Sequence, residues 1–416
     1  MSRLMKKGGT HAYFIWGVGS LFYLYEYFVR VVPSVMENEL EGFFGATASQ
    51  VATAVGMYLM AYSPMQLIVG VLFDIFGTRK LLVPASLILS LSCLLPLIPS
   101  DHLFFFGLGR FLMGFASAFG FVGVMYLCTV WFPEKRLALL SGLTTALGMI
   151  GAILAQICLS SLYVLLGWHG TWLFVVVFGL IVTCLLMFFI PKHPDWLPKP
   201  KSQHLWMTCK TTLVQVFKSR QTWLIGLLAS ALFMPLAVFA DFWAIPYFVN
   251  VSNFTRGEAV QLTAFLYLGW TIGAPIVGNL SDRFKTRKLT LLTSGLLSSL
   301  VFLWILLLPE ARFSSIACSL FLLGLCSGGQ VVGFIACVEF NSRQASGSAI
   351  AVINMIIMWL CGIVQTLVGY LIDLFKLYCD VQKTYQVALL SVVGFLMLGT
   401  VLYYYWGREP KHEDEA

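Results

Sequence analysis

Four ionisable residues sit inside stretches otherwise apolar enough to cross a membrane: Glu26, Arg30, Arg110 and Asp241. A charge at a bilayer centre costs at least ~2.5–3.5 kcal/mol on insertion scales, so such residues mark substrate sites or ion pathways. Glu26 and Arg30 are four apart, and a helix places them on one face. A guanidinium fork suits a substrate carboxylate, which makes Arg30 an anion-binding candidate. Asp241 suits a substrate ammonium group or a proton. Glu26 is pulled two ways, because burial raises a carboxyl pKa and a nearby arginine lowers it. That balance fits a group that carries the coupling proton, and Arg110 is assigned with it to proton coupling. The plainer alternative is a static ion pair, Glu26–Arg30 or Glu26–Arg110, that holds helices together.

A softer lining surrounds these charges. Tyr23 and Tyr27 bracket Glu26, while Tyr58, Tyr62 and Gln66 follow at i, i+4 and i+8 as one polar stripe. Asn354, Gln365, Gln330, Gln156 and Trp243 are further candidates, each equally at home in an interhelical hydrogen bond or in packing. Tyr27, Tyr62, Gln66, Trp243 and Asn354 join Arg30 and Asp241 as the expected substrate site.

Other chemistry is missing from the sequence. It has no phosphate-binding Walker loop, no metal-ligand spacing and no nucleophile with a plausible base, so no cofactor, ATP-driven step or enzyme activity is expected. The ten cysteines are scattered, mostly in apolar runs, with no C-x-x-C pair. No basic stripe interleaves with aromatics, so nucleic acid is not an expected partner. The energy source is then an ion gradient or the substrate gradient itself.

The elements that must hold these residues follow from composition. Of 416 residues, 59% are hydrophobic and only 11% charged. Soluble domains carry roughly 25% charge, so the surface of this chain faces lipid. The apolar runs predict an all-α membrane protein of twelve transmembrane helices, at 12–36, 47–72, 81–99, 102–131, 138–165, 168–190, 223–249, 258–280, 289–308, 312–339, 347–371 and 384–406. The first run follows Arg3, Lys6 and Lys7. It is too long for a signal peptide, lacks a small-residue cleavage site, and reads as an uncleaved helix. The basic, proline-containing stretch 191–222 reads as a cytoplasmic linker. It separates a six-helix half, 1–190, from a second, 223–416.

Orientation follows from Lys and Arg. With the N-terminus inside, 20 of the 26 basic residues fall on the cytoplasmic side. The other side holds Arg256, Arg312, Lys376 and Lys383. An even helix count places both termini in the cytoplasm.

The halves also repeat. Gly70, Asp74, Gly77, Arg79 and Lys80 follow the second helix, and Gly278, Asp282, Arg283, Arg287 and Lys288 follow the eighth. Both the glycines and the aspartates are offset by 208, and a weaker echo pairs Arg136 with Arg343. Subtracting 208 from Asp241 gives 33, one turn beyond Arg30, so the first and seventh helices present Arg30 and Asp241 at similar depth. Repeated units are expected in transporters that rock two bundles about a central site.

The pattern Gly-x-x-x-Asp-x-x-Gly-x-Arg-Lys, present twice, resembles the signature loop of the major facilitator superfamily. The resemblance spans nearly the whole chain. It implies two pseudo-symmetric six-helix bundles, alternating access and a substrate cavity near the membrane midplane. It also implies a latch in which Asp74 sits against the start of the eleventh helix, around Gly347, with Arg79 and Lys80 near Glu134. Ile75 stands in place of the usual Arg, and Lys285 in place of the second-copy Gly. Gly109-Arg110-x-x-x-Gly114 is similar to the family's helix-4 arginine motif. The fifth helix, with Gly142, Gly148 and Gly151, lacks the Gly-Pro pair of many drug antiporters.

A narrower resemblance is to bacterial anion symporters and their nutrient-uptake, sugar-phosphate-permease-like relatives. It rests on Arg30, Pro33-Ser34, Tyr62, Gln66, Trp131-Phe132-Pro133 and Trp243-Ala-Ile-Pro246-Tyr247. No basic residue lies between Trp223 and Asn250, which argues against a phosphate substrate. The expected function is proton-coupled import of a small carboxylate or zwitterion (an amino acid, peptide, or organic or sugar acid) by a monomer in the bacterial inner membrane. Transport of a siderophore and export of a metabolite or drug are the alternatives.

Overall fold

The computed structural model describes residues 9–98, 103–133, 136–191, 202–309, 311–342 and 345–410. All regular structure among them is helical. The first span is α1 (Thr10–Arg30), followed by a short α2 (Glu37–Phe44). Spans two and three are α3 (Ala48–Phe76) and α4 (Thr78–Ser92), and the fourth is α5 (Phe104–Ser117) continued by α6 (Phe119–Trp131). The fifth and sixth lie in α7 (Leu137–Phe189), where the chain turns at Gly167, φ 64°. After α8 (Ser202–Lys218), the seventh span runs through α9 (Arg220–Met234), a π-helix (Pro235–Trp243) and α10 (Ala244–Asn250). The remainder are α11 (Arg256–Phe284), α12 (Arg287–Leu307), α13 (Phe313–Ser327) with α14 (Gln330–Glu339), α15 (Ser346–Phe375) and α16 (Val381–Trp406).

Among the described residues, eleven of these stretches are long and apolar enough to cross a membrane. The first helix, whose polarity is raised by four tyrosines with Glu26 and Arg30, completes the twelve. Large apolar side chains such as Phe188, Leu165 and Phe284 stay exposed on the outside of the bundle, where lipid replaces water as the solvent. The seventh span is the most enclosed, with 83% of its window buried.

Two boundaries depart from the sequence expectation. The first helix ends at Arg30 instead of 36, because Pro33 cannot continue an α-helix; the chain tightens into a 3₁₀ turn, Val32–Val35, and then starts α2. The segment 191–222 is not a plain linker, because 202–218 is helical. The prolines at 194, 198 and 200 lie outside the described residues.

The repeat is visible in packing. A Cβ on Gly114 would run into the Tyr58 carbonyl, and one on Gly324 into the Leu266 carbonyl. Tyr58 and Leu266 are 208 apart. Spans two and four, and spans eight and ten, therefore cross at backbone contact through glycine, as small residues allow in membranes.

Candidate functional site

The last residue of α1 reaches across to the π-helix of the seventh span. Arg30 Nε donates to Asp241 Oδ2 at 2.7 Å. The Tyr267 hydroxyl, from α11, donates to Asp241 Oδ1 at 2.6 Å. Both carboxylate oxygens are thus engaged, and Arg30 and Asp241 are 4% and 7% exposed. The Arg30 guanidinium also lies over the rings of Tyr27 (5.3 Å) and Phe233 (5.7 Å), while its Nη2 has no hydrogen-bond partner among the described residues. Sequence placed Arg30 and Asp241 at one depth, and here they bind each other. The π-helix begins at Pro235, which has no N–H to give, and π segments concentrate at functional sites. Beside Asp241, Gln156 from α7 donates to the Ala240 carbonyl at 3.2 Å, a second tie between halves.

Tyr267 escaped the sequence reading. The repeat gave no signal for it, since the offset of 208 carries Tyr58 of the polar stripe onto Leu266 and Tyr267 onto Leu59. Its hydroxyl bonds a charged acceptor in a water-poor site, so Tyr267→Phe is expected to cost about 1.5–3 kcal/mol. A lowered thermal midpoint of the purified protein would register this; an unchanged midpoint would mean that the bond contributes nothing.

Arg110 does not pair with Glu26. Its Nη1 and Nη2 donate to the carbonyls of Val29 and Arg30, at 3.1 and 3.0 Å, and it lies 4.7 Å over the Tyr58 ring. A cation on the last carbonyls of a helix satisfies acceptors that have no partner within the helix. Arg110 thus caps α1 and fixes the residue whose side chain meets Asp241.

Nor does Glu26 pair with Arg30. It is fully buried, with Oε1 3.5 Å from the Tyr58 hydroxyl and Oε2 without a partner among the described residues. Around it stand Tyr23 and Tyr27, edge to face at 5.1 Å, and Tyr58 and Tyr62, stacked at 6.2 Å. Oε2 points at Gly120, where a Cβ would collide with it. The site therefore holds a carboxyl with spare acceptor capacity, one helical turn from an arginine committed elsewhere.

The remaining candidates divide. Gln66 accepts from Asn354 at 3.1 Å and donates to the Ala118 carbonyl, so these two amides tie span two to span eleven. Gln330 and Gln365 are buried. Trp243 is fully buried, edge-on to Phe242 and Tyr385, and belongs to the packing of the seventh span.

At the end of the bundle that carries both termini, the two signature loops differ. In the second, Arg287 bonds Asp282 (2.5 Å) and Glu339 (2.9 Å), and Glu409 accepts from the backbone N–H groups of Arg287 and Lys288. Glu339 thus meets Arg287, while Arg343 lies outside the described residues. Arg283 is exposed, as are Gly70 and Lys80. In the first loop, Asp74 makes no hydrogen bond or ion pair among the described residues, so the expected contact with the start of α15 is absent here. Glu134, the expected partner of Arg79, lies outside the described residues. Gly77 turns the chain at φ 76°, and Lys285, which replaces the second-copy glycine, keeps a positive φ of 49°.

The family model for the Major Facilitator Superfamily matches residues 15–366, with a further match over 267–416. The chain belongs to this superfamily. It is a multi-pass membrane transporter and not an enzyme. A probable sulfoacetate transporter of Cupriavidus necator is 25% identical over 316 residues, 72% of this chain and 73% of that protein. A chloramphenicol resistance protein of Acinetobacter baumannii is 24% identical, covering 82% of each chain. Among solved structures, a bacterial homologue of the human lysosomal transporter Spinster superposes with a TM-score of 0.78 at 15% identity, covering 97% of this chain and 98% of that one. The nucleoside transporter NupG superposes at 0.75 with 12% identity, covering 95% and 99%.

Proposed function

We propose that the protein is a secondary active transporter that carries a small organic anion or zwitterion by alternating access, coupled to protons. The observation that carries this is the buried Arg30–Asp241–Tyr267 cluster between the halves. A substrate carboxylate or sulfonate takes Asp241's place on Arg30, and in a zwitterion the ammonium group then meets Asp241. The likeness to a probable sulfoacetate transporter supports an anionic substrate. Residues 1–190 and 223–416 act as the two rocking units, joined by 191–222. Glu26 serves as the proton site. The basic loops favour both termini in the cytoplasm of a bacterium, with the chain in the inner membrane, working as a monomer that imports its substrate.

A thermal-shift screen of purified protein tests this. It uses amino acids, dipeptides, sugar acids, organic acids, sulfonates and ferric siderophores, at pH 5.5 and 7.5. Selective binding to the folded state raises apparent stability by mass action, by about 2.7 kcal/mol at a hundredfold excess over Kd. A carboxylate or sulfonate hit that vanishes in Arg30→Ala is the expected result. Stabilisation by lipophilic cations or chloramphenicol instead would favour an exporter, the reading that the resemblance to a chloramphenicol resistance protein supports.

A further inference from the structure

Two aspartates occupy matching places on the most extensive helix contact between the halves, that of α3 with α15. Asp74 stands two residues before the end of α3, and Asp373 two residues before the end of α15. The helices run antiparallel, so each aspartate lies at the end where the other helix begins.

Asp373 is engaged. Its Oδ1 accepts the Ala48 N–H at 3.1 Å and its Oδ2 the Ser49 N–H at 2.7 Å. These are first-turn donors of α3, which have no partner within their own helix, and an anion there also meets the favourable end of the helix dipole. Lys376 holds the same carboxylate at 2.9 Å. Glu41 of α2 lies close enough to feel both: burial pushes its carboxyl up, opposed by Lys376 and reinforced by Asp373. Gly369 brings the two backbones together here, since a Cβ would meet the Ala48 carbonyl and Ala52.

The other end of the seam is in the opposite condition. Asp74 is unpaired among the described residues, and the N-cap of α15, Ala345, offers no side-chain cap. The corresponding seam between α7 and α11 has no aspartate at this place: 208 before Asp373 stands Leu165.

We propose that Asp373 is the latch of the end far from the termini, and that it alternates with Asp74: closing either end seats one aspartate on the facing helix start and withdraws the other. This rests on the rocking-bundle reading above. It adds a residue outside the signature loops to the set that decides which end is open.

The test uses spin labels on p-acetylphenylalanine at positions 166 and 378, so that the native cysteines stay in place. Both positions are exposed, on the far ends of the two halves. Double electron–electron resonance then reads the distance between halves without any substrate. In the parent a short distance should dominate. Asp373→Asn should raise the long-to-short ratio about tenfold, the lower end for losing a hydrogen bond to a charged group. Asp74→Asn should shift it the other way, and the double variant should return toward the parent. Should Asp373→Asn fail to fold, Ser49→Pro deletes the shorter bond within a helical turn that tolerates proline, and should lengthen the distance likewise. An unchanged distribution in Asp373→Asn or Ser49→Pro, with lengthening in Arg30→Ala, overturns the latch alone. One fixed distance in every variant, Arg30→Ala included, overturns the rocking reading as well.

Discussion

Arg30→Ala is expected to abolish transport while the protein still inserts, and to lower its thermal midpoint. Removing one partner of a buried ion pair typically costs about 3–5 kcal/mol, because the remaining charge stays buried without compensation. Here the orphan is Asp241, left among the described residues with Tyr267 as its hydrogen-bond donor. The loss of stability and the loss of function have different causes, and a double variant separates them. Arg30→Ala/Asp241→Ala removes both charges, so most of the stability should return. Transport should not return, because the anion site is gone. Arg30→Lys keeps a charge but not the planar fork, and a compact ammonium lacks the bidentate geometry that lets the guanidinium meet Asp241 and a substrate together. It should retain residual binding at best. The measurement is uptake into proteoliposomes of whichever ligand stabilises the parent, with membrane yield and thermal midpoint recorded for each variant. Full uptake by Arg30→Ala would remove Arg30 from the substrate site and leave the pair as a structural brace.

Much of this arrangement was legible in the residues, for identifiable reasons. Lipid demands long apolar runs whose backbone bonds close within each helix, so spans are written plainly in composition. The duplicated loop fixed the offset of 208, and that offset alone brought Arg30 and Asp241 to one depth. What stayed hidden depends on groups that have no pattern. Arg110 binds two backbone carbonyls, and no side-chain spacing announces a carbonyl. Asp241 faces Arg30 from a π segment, where the usual angle per residue does not hold, so its direction was not available from periodicity. The helix at 202–218 lies among lysines and prolines that read as a linker. Its order comes from contacts made after folding, such as Thr212 with Ser348 at 2.6 Å. The contact that the resemblance implies at Asp74 is a meeting of two helix ends, and no pattern within either helix announces whether such ends touch.

Glu26→Gln is expected to separate flux from the proton gradient. Glutamine matches the uncharged carboxyl in shape and can still accept from Tyr58, so the fold should tolerate it. A charged carboxylate at this place makes no ion pair among the described residues while Arg30 is held by Asp241 and Arg110 by the end of α1. Once a substrate anion or a change of access draws Arg30 from Asp241, that arginine lies on Glu26's own face, four residues along the helix. The charge state that suits Glu26 therefore depends on the same event that loads or releases substrate, which is what coupling requires. The amide cannot change its charge, so the substitution cuts that link. Exchange of internal for external substrate should continue at a rate near that of the parent. Accumulation against a gradient, which in a one-proton symporter can reach about tenfold per pH unit of driving force, should fall to equilibration. The check is counterflow and pH-jump-driven uptake in the same proteoliposome preparation. Uptake by Glu26→Gln that still rises with the imposed proton gradient would assign the coupling proton elsewhere, and Asp241, the other buried carboxyl of the cluster, would be next to test.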